Sequence, residues 1–277
     1  MAGTTGWDMA TLSYYKQGTS NAPIPLFAAK DSAGNVQPIS AAPSLAYGPV
    51  TGSFNVMFGT GKYLETSDRT STRTQSEYLV YDNNSNALDS TPASSATSAV
   101  SSRLRLKQPT SVVAATGVVT FPSFKLGRAT TNVDTDDPRS GWVFDLPNSG
   151  ERQISNGTIF GTSVIFGSLI PSSGSTAACA ATGGGGNQYT VDILTGNGTS
   201  TGSQVGISGE PLVAELTGAT TYTAADSSGR RIKTVTSQVF QQGSNGISPG
   251  STVTKTVTTG RLTWRQINNY QDLKNGP

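Results

Sequence analysis

The sequence contains no histidine, which excludes catalytic triads built on imidazole, imidazole acid–base chemistry and ordinary histidine-ligated zinc sites. Its single cysteine, Cys179, cannot close a disulfide within the chain or build a cysteine-rich metal site. Cys179 is expected as a small buried side chain, with pairing to a cysteine of another chain as the alternative. Charge is scarce: 13% of the 277 residues are charged, against about 25% in an ordinary soluble domain. The net charge of +2 is too small to argue for a nucleic-acid partner. No apolar run approaches the roughly eighteen residues needed to span a bilayer, so no membrane span is expected. The stretch 1–15 has neither the basic nor the apolar region of a signal peptide.

Glycine, serine and threonine take the place of the missing charges. Low charge, many hydroxyls and frequent glycine turns favour an all-β, externally exposed protein. Short β-prone runs recur along the chain at 53–60, 76–82, 102–108, 118–126, 141–146, 158–170, 188–194, 231–240 and 252–267. Period-two alternation places Trp142, Phe144 and Leu146 on one face. In the run 102–108 it sets Arg103, Arg105 and Lys107 opposite Leu104 and Leu106. The run Ser163–Phe166 is apolar after its serine, as in a strand buried on both sides. Turn chemistry at 31–35, 147–151, 154–158 and 226–230 suits hairpin loops. The low-complexity stretches 94–102 and 175–186 read as long mobile loops.

Each candidate site also has a plainer structural reading. Gly59-Thr60-Gly61-Lys62 resembles the end of a phosphate loop, but Tyr63 stands where Ser or Thr should hold magnesium and no helical pattern follows. The favoured reading is a strand whose Gly59 and Gly61 form a bulge or admit another backbone. Gly198–Gly202 matches a nucleophile elbow around Ser200, but it has no histidine base and reads as a loop. Asp82, Asn84 and Asn86 occupy the first, third and fifth positions of a calcium-loop pattern; Ala87 and Ala93 break its sixth and twelfth. Asp134, Asp136 and Asp137 form a second calcium candidate beside Arg139, with an exposed acidic loop as the commoner outcome. Arg103, Arg105 and Lys107, and likewise Arg230, Arg231 and Lys233, read as wet strand faces rather than an anion site. Trp142 and Trp264 read as core. Sequons at Asn83, Asn156 and Asn197 carry little weight in so polar a chain.

Several stretches together resemble one family. Pro25–Leu45, Asn55–Asp68, Ser76–Asn83, Gly141–Pro171, Cys179–Gly196 and Arg261–Ile267 are similar, in order and spacing, to the C-terminal β-propeller of the PilY1/PilC type IV pilus proteins. The most specific piece is Gly141-Trp142, then Asp145-Leu146-Pro147, then Gly150-Glu151-Arg152. The resemblance implies a modified β-propeller, or an open part of one, of antiparallel four-stranded blades with long Gly/Ser/Thr-rich loops. Residues 1–277 would form a single propeller-like domain, an excised C-terminal piece of a longer secreted protein. The implied function is non-enzymatic: pilus assembly, adhesion and twitching motility at the pilus tip, outer membrane or cell surface. The implied partners are pilins or minor pilins and a host or abiotic surface receptor. The family's calcium loop lies upstream of Pro25, where this chain has only Gly6-Trp7-Asp8 and polar residues, so no calcium ligand carries over. No Arg-Gly-Asp tripeptide occurs, so integrin binding does not carry over either. The competing readings are a quinone-dependent propeller dehydrogenase and a generic extracellular surface or fibre β-protein.

Overall fold

The computed structural model describes residues 15–18, 22–83, 88–89, 95–172, 184–203, 205–224 and 230–259. Fifteen strands run through them: β1 (Lys16–Gln17), β2 (Ala22–Pro23), β3 (Ser44–Tyr47), β4 (Phe54–Gly59), β5 (Ser76–Asp82), β6 (Ser111–Val113), β7 (Val118–Thr120) and β8 (Gly141–Asp145). The others are β9 (Thr158–Phe160), β10 (Ser163–Gly167), β11 (Asn187–Asp192), β12 (Gly198–Gly202), β13 (Leu212–Tyr222), β14 (Arg231–Gly243) and β15 (Gly246–Thr259). They form four antiparallel sheets, ordered β1-β2, β3-β4-β5-β8, β6-β7-β12-β11-β10-β9 and β13-β14-β15. Among the described residues helix is confined to short 3-10 turns such as Thr66–Arg69 and Arg103–Arg105. The sheets do not close into a ring among the described residues.

The expectation of four-stranded blades holds for one sheet and fails for the next. β12 pairs with β7 at Gly198↔Val119 and Thr199↔Val118, joining a hairpin to a distant meander and giving six strands. The segment Gly198–Gly202 is thus a strand, not a loop, with the Ser200 amide donating to the Gly117 carbonyl at 2.6 Å.

Alternation decides how the sheets stack. On β5 and β8, Leu79, Trp142 and Phe144 face one way and join Met57 of β4. They pack against Val119, Val164, Phe166, Tyr189 and Val191 of the six-stranded sheet. Tyr78, Val80 and Val143 face the other way, where Ala29, Val100 and Leu106 cover them. The six-stranded sheet is itself buried on both sides, because Ile165 turns its back on Val164 and meets Val239 and Val253 of the three-stranded sheet. The layers therefore run from the 22–30 and 95–108 segments, through the four-stranded and six-stranded sheets, to the β13-β14-β15 ribbon. Rings run through the central interface: Trp142 stacks on Phe144 at 6.0 Å, Phe144 meets Tyr189 at 6.0 Å, and Tyr189 stacks on Phe166 at 4.9 Å. Trp142 also donates its indole N–H to the Ile193 carbonyl at 2.9 Å. Trp142, Phe144 and Leu146, which alternation places on one face, are buried, as is Ile165 in the apolar run 163–166.

Two expectations are corrected here. The stretch 102–108 is not a strand with a wet basic face; it turns through 3-10 geometry and leaves Leu104 exposed. Arg105 and Lys107 are buried, paired with Asp89 (3.4 Å) and Asp134 (3.1 Å). The described part of the low-complexity stretch 94–102 is packed rather than loose: Ala96, Ala99 and Val100 have no exposure. Small side chains let it lie flat against Tyr15, Ile24 and the four-stranded sheet. Cys179, Trp264 and most of 175–186 and 226–230 lie outside the described residues.

Candidate functional site

The most extensive polar features meet where β5 begins and β8 ends. Ser76 and Asp145 are cross-strand partners there, and Ser76 Oγ donates to Asp145 Oδ1 at 2.6 Å. Arg103, carried on the 3-10 turn, closes the pair: its Nη2 lies 2.9 Å from Asp145 Oδ1 and its Nη1 donates to Ser76 Oγ at 3.1 Å. The guanidinium also sits over the Tyr78 ring, 5.9 Å from its centroid. Gln37 Nε2 donates to Ser76 Oγ (2.8 Å) and the Thr74 carbonyl (3.0 Å), and the Tyr78 hydroxyl reaches Gln37 Oε1. Five side chains from four segments are thus held in one geometry before any ligand arrives.

Arg103, Gln108 and Asp145 form a shared wall between two open clefts. One, of about 500 Å³, is also lined by Lys30, Asp31 and Thr97; the other, of about 490 Å³, by Thr74, Pro109 and Pro147. Burial pushes the Tyr78 phenol up, opposed by Arg103, so it remains a neutral donor. The Asp145 carboxylate adjoins the Ser76 hydroxyl, and the same Oδ1 is held by Arg103 Nη2. The arrangement offers fixed hydrogen-bond donors and acceptors to a polar ligand or a polypeptide loop.

The candidate metal ligands take other tasks. Asp82, at the end of β5, accepts from the Tyr15 hydroxyl. Asp134 receives Lys107 Nζ and the Gln108 amide (3.0 Å), Asp136 the Thr131 hydroxyl (2.7 Å) and Asp137 the Lys125 amide (3.1 Å). Asn84 and Asn86 lie outside the described residues. Among the described residues, no three His, Cys, Asp or Glu side chains gather closely enough to hold a metal ion. Asn156 and Asn197 are spent on the backbone, accepting from the Ala42 and Phe121 amides. Ser200 sits in β12 without the strand–turn–helix setting of an elbow.

Gly59-Thr60-Gly61-Lys62 resolves as a close approach of two backbones. A Cβ on Gly59 would strike the Gln153 side chain, and one on Gly61 would lie 2.5 Å from Arg152 Cβ. The Gln153 amide donates to the Thr60 carbonyl at 3.0 Å. The residue missed from sequence is Glu151. Its buried carboxylate accepts from Ser168 Oγ, Asn187 Nδ2 (2.9 Å), the Tyr189 hydroxyl (2.9 Å) and Asn148 Nδ2 (2.7 Å), fastening the 147–151 turn to β11. The Gly150-Glu151-Arg152 run was the available signal. Burial and Glu151 push the Tyr189 phenol up.

Residues 12–116 match the family model of the PilY1 beta-propeller domain. The chain is similar to PilY1 over part of its length. A type IV pilus biogenesis factor PilY1 homolog of Xylella fastidiosa is 30% identical over 192 residues, which are 66% of this chain and 11% of that protein. The type IV pilus biogenesis factor PilY1 of Pseudomonas aeruginosa is 30% identical over 184 residues, 64% of this chain and 15% of that protein. The chain therefore spans only 11–15% of the length of these curated PilY1 relatives. The crystal structure of the Pseudomonas aeruginosa PilY1 C-terminal domain superposes with a TM-score of 0.49 at 21% identity, covering 83% of this chain and 48% of that one. The all-β, antiparallel, unclosed sheets described above fit the open part of a propeller.

Proposed function

We propose that this chain is part of a type IV pilus biogenesis protein, acting without catalysis at the pilus tip or cell surface. The observation that carries the reading is the 30% identity to PilY1 over about two thirds of the chain. The preorganised Arg103–Asp145–Ser76 network and its two clefts support it, since they suit a binding surface. Its partners are pilins or minor pilins, and its contribution covers assembly, adhesion and twitching. Deleting the gene in the source bacterium and restoring it intact, or without residues 22–203, tests this. Surface pili and twitching are expected to return only with the intact gene; restoration by the truncated gene would overturn the proposal. Dye reduction after adding pyrroloquinoline quinone and calcium would instead establish the dehydrogenase reading.

A further inference from the structure

The last rung of β4 and β5, Gly59↔Glu77, brings together two buried oxygens that have no hydrogen-bond partner, Glu77 Oε2 and Gln153 Oε1. Glu77 is 1% exposed and Gln153 2%, so no water or ligand reaches them from outside. Directly opposed residues of an antiparallel pair have Cβ positions about 4.5–5.5 Å apart on one face of the sheet. Gln153 Oε1 fills the space where a Cβ of Gly59 would stand, which puts it beside Glu77 and within reach of its carboxyl. The amide cannot turn its nitrogen there instead, because Nε2 donates to the Ser155 carbonyl at 2.9 Å. An ionised carboxylate only accepts, as an amide oxygen does, whereas a protonated carboxyl donates. One proton on Glu77 therefore satisfies both orphans.

Among the described residues no cation offsets Glu77: burial alone raises its carboxyl well above the ordinary range. β4 carries no ionisable side chain. On β8, Asp145 opposes Ser76 and so faces the other way, beside Arg103. On β5 itself, Tyr81 shares the face four residues on. The crossing segment 151–153 carries Glu151, taken up by Ser168, Asn187, Tyr189 and Asn148. It also carries Arg152, which donates to the carbonyls of Gly150, Lys62 and Ser71. From the facing sheet β11 brings Tyr189, whose ring meets Phe144 and whose hydroxyl donates to Glu151. Asp192, at the end of β11, accepts the Leu194 and Thr195 amides.

We propose that Glu77 holds its proton against Gln153 Oε1 and so latches the 151–153 crossing onto the Gly59 rung, as a pH-sensitive clasp between the four-stranded and six-stranded sheets. The crossing is what joins them: the Gln153 amide donates to the Thr60 carbonyl at 3.0 Å, just past β4. Arg152 and Leu169, the latter just past β10, exchange amide bonds at 2.9 and 2.7 Å. Ionisation replaces the clasp's donor by an acceptor, sets two oxygens against each other and loosens the crossing. The folded carboxyl titrates above the unfolded one, so the clasp is whole below about pH 4.3 and is lost as pH rises through the folded value. The device does not depend on the pilus reading.

The test follows the Glu77 carboxyl carbon by NMR in the full chain as pH rises, with Glu77→Gln assigning the signal. Glu77 is expected to keep its proton well above about pH 4.3. Gln153→Met removes the acceptor and is expected to lower the midpoint by about one pH unit, the equivalent of one hydrogen bond made only by the neutral form. Gln75 Oε1 is the other orphan acceptor on this face, two residues before Glu77, and Gln75→Met is expected to leave the midpoint in place. Hydrogen exchange of the Arg152 and Gln153 amides, corrected for its ordinary rise with pH, is expected to quicken roughly tenfold as Glu77 ionises. In Glu77→Gln, whose amide donates at every pH, it is expected not to, and this comparison decides the matter even if Gln153→Met does not fold. A Glu77 midpoint near 4.3, a midpoint unmoved by Gln153→Met, an equal shift from Gln75→Met, or the same exchange response in Glu77→Gln would each overturn the proposal.

Discussion

The four-stranded sheet and the β13-β14-β15 ribbon are both antiparallel and both built of strand-favouring residues, aromatic in the first and β-branched in the second, yet they share little else. Every residue of β5 but its last is buried. Of the fourteen residues of β15, Val253 alone is buried. Strand propensity does not separate them; position in the stack does. β5 has a packed layer on each face. Among the described residues the ribbon packs on one neighbouring sheet and outruns it: Val253 meets Ile165, while Val257, four residues on along the same face, is 37% exposed. Ile232 and Tyr222 lie in the same overhang.

The comparison breaks first at Trp142. Trp142→Ala leaves a cavity between two layers and is expected to cost about 3–5 kcal/mol by urea denaturation; an unchanged midpoint would remove the sheet's claim to be the core. Gly141 sharpens the point by geometry. It adopts φ +135°, and a Cβ there would lie 1.8 Å from the Leu79 carbonyl oxygen. Gly141→Ala is expected to cost about 3 kcal/mol, against about 1–2 kcal/mol for Gly34→Ala, where φ is +88° but the space is open.

Glu77 of β5 gives the third test. Burial raises its carboxyl pKa well above the ordinary value, and its Oε2 has no hydrogen-bond partner. Below about pH 4.3 both folded and unfolded chains hold the proton, and its contribution is whole. As pH rises, the unfolded chain gives the proton up first, so stability drains until the folded pKa is passed. Glu77→Gln is expected to flatten the urea midpoint against pH between 4 and 8 by the equivalent of one proton; an identical slope in both proteins would show that the carboxyl is not held in its neutral form. The smallest effect belongs to the overhang. Ile232→Thr and Val257→Thr are expected to change stability by no more than about 0.5 kcal/mol, and a larger loss would mean that the ribbon is covered.

Where burial follows from local alternation, the sequence was readable. Trp142, Phe144 and Leu146 share a face, and Val164 and Ile165 serve opposite layers, as their spacing implies. Where burial depends on distant partners, it was not. Nothing near Arg105 or Lys107 shows that Asp89 and Asp134 will come to meet them, and five alternating residues fit a strand as readily as a turn. The same holds for Ala96 and Ala99, whose small size reads as looseness until a surface is laid against them. The cluster at Arg103 needed Ser76, Asp145 and Gln37 from three separated segments. Glu151 was legible only as part of the Gly150-Glu151-Arg152 piece of the family resemblance, because its donors, Ser168, Asn187 and Tyr189, come from far along the chain.

The ribbon's overhang has a mechanical consequence. Arg231 and Thr259 are paired at its open end, and the hairpin turns back at Gly243↔Gly246. Tension applied between Arg231 and Thr259 therefore loads the rungs in series, one pair at a time, rather than shearing them together. Each opened pair frees one residue of β15, roughly 3.5 Å of extended chain, because Lys233 and Thr234 stay paired with Tyr222 and Thr221 of β13. The first pairs to part, from Arg231↔Thr259 to Thr234↔Thr256, precede Val253 and Val239, which are anchored against Ile165. Under a pull the molecule lengthens by peeling its outermost pairs and recovers by re-zipping them, and the packed sheets behind feel the load only after that slack is spent.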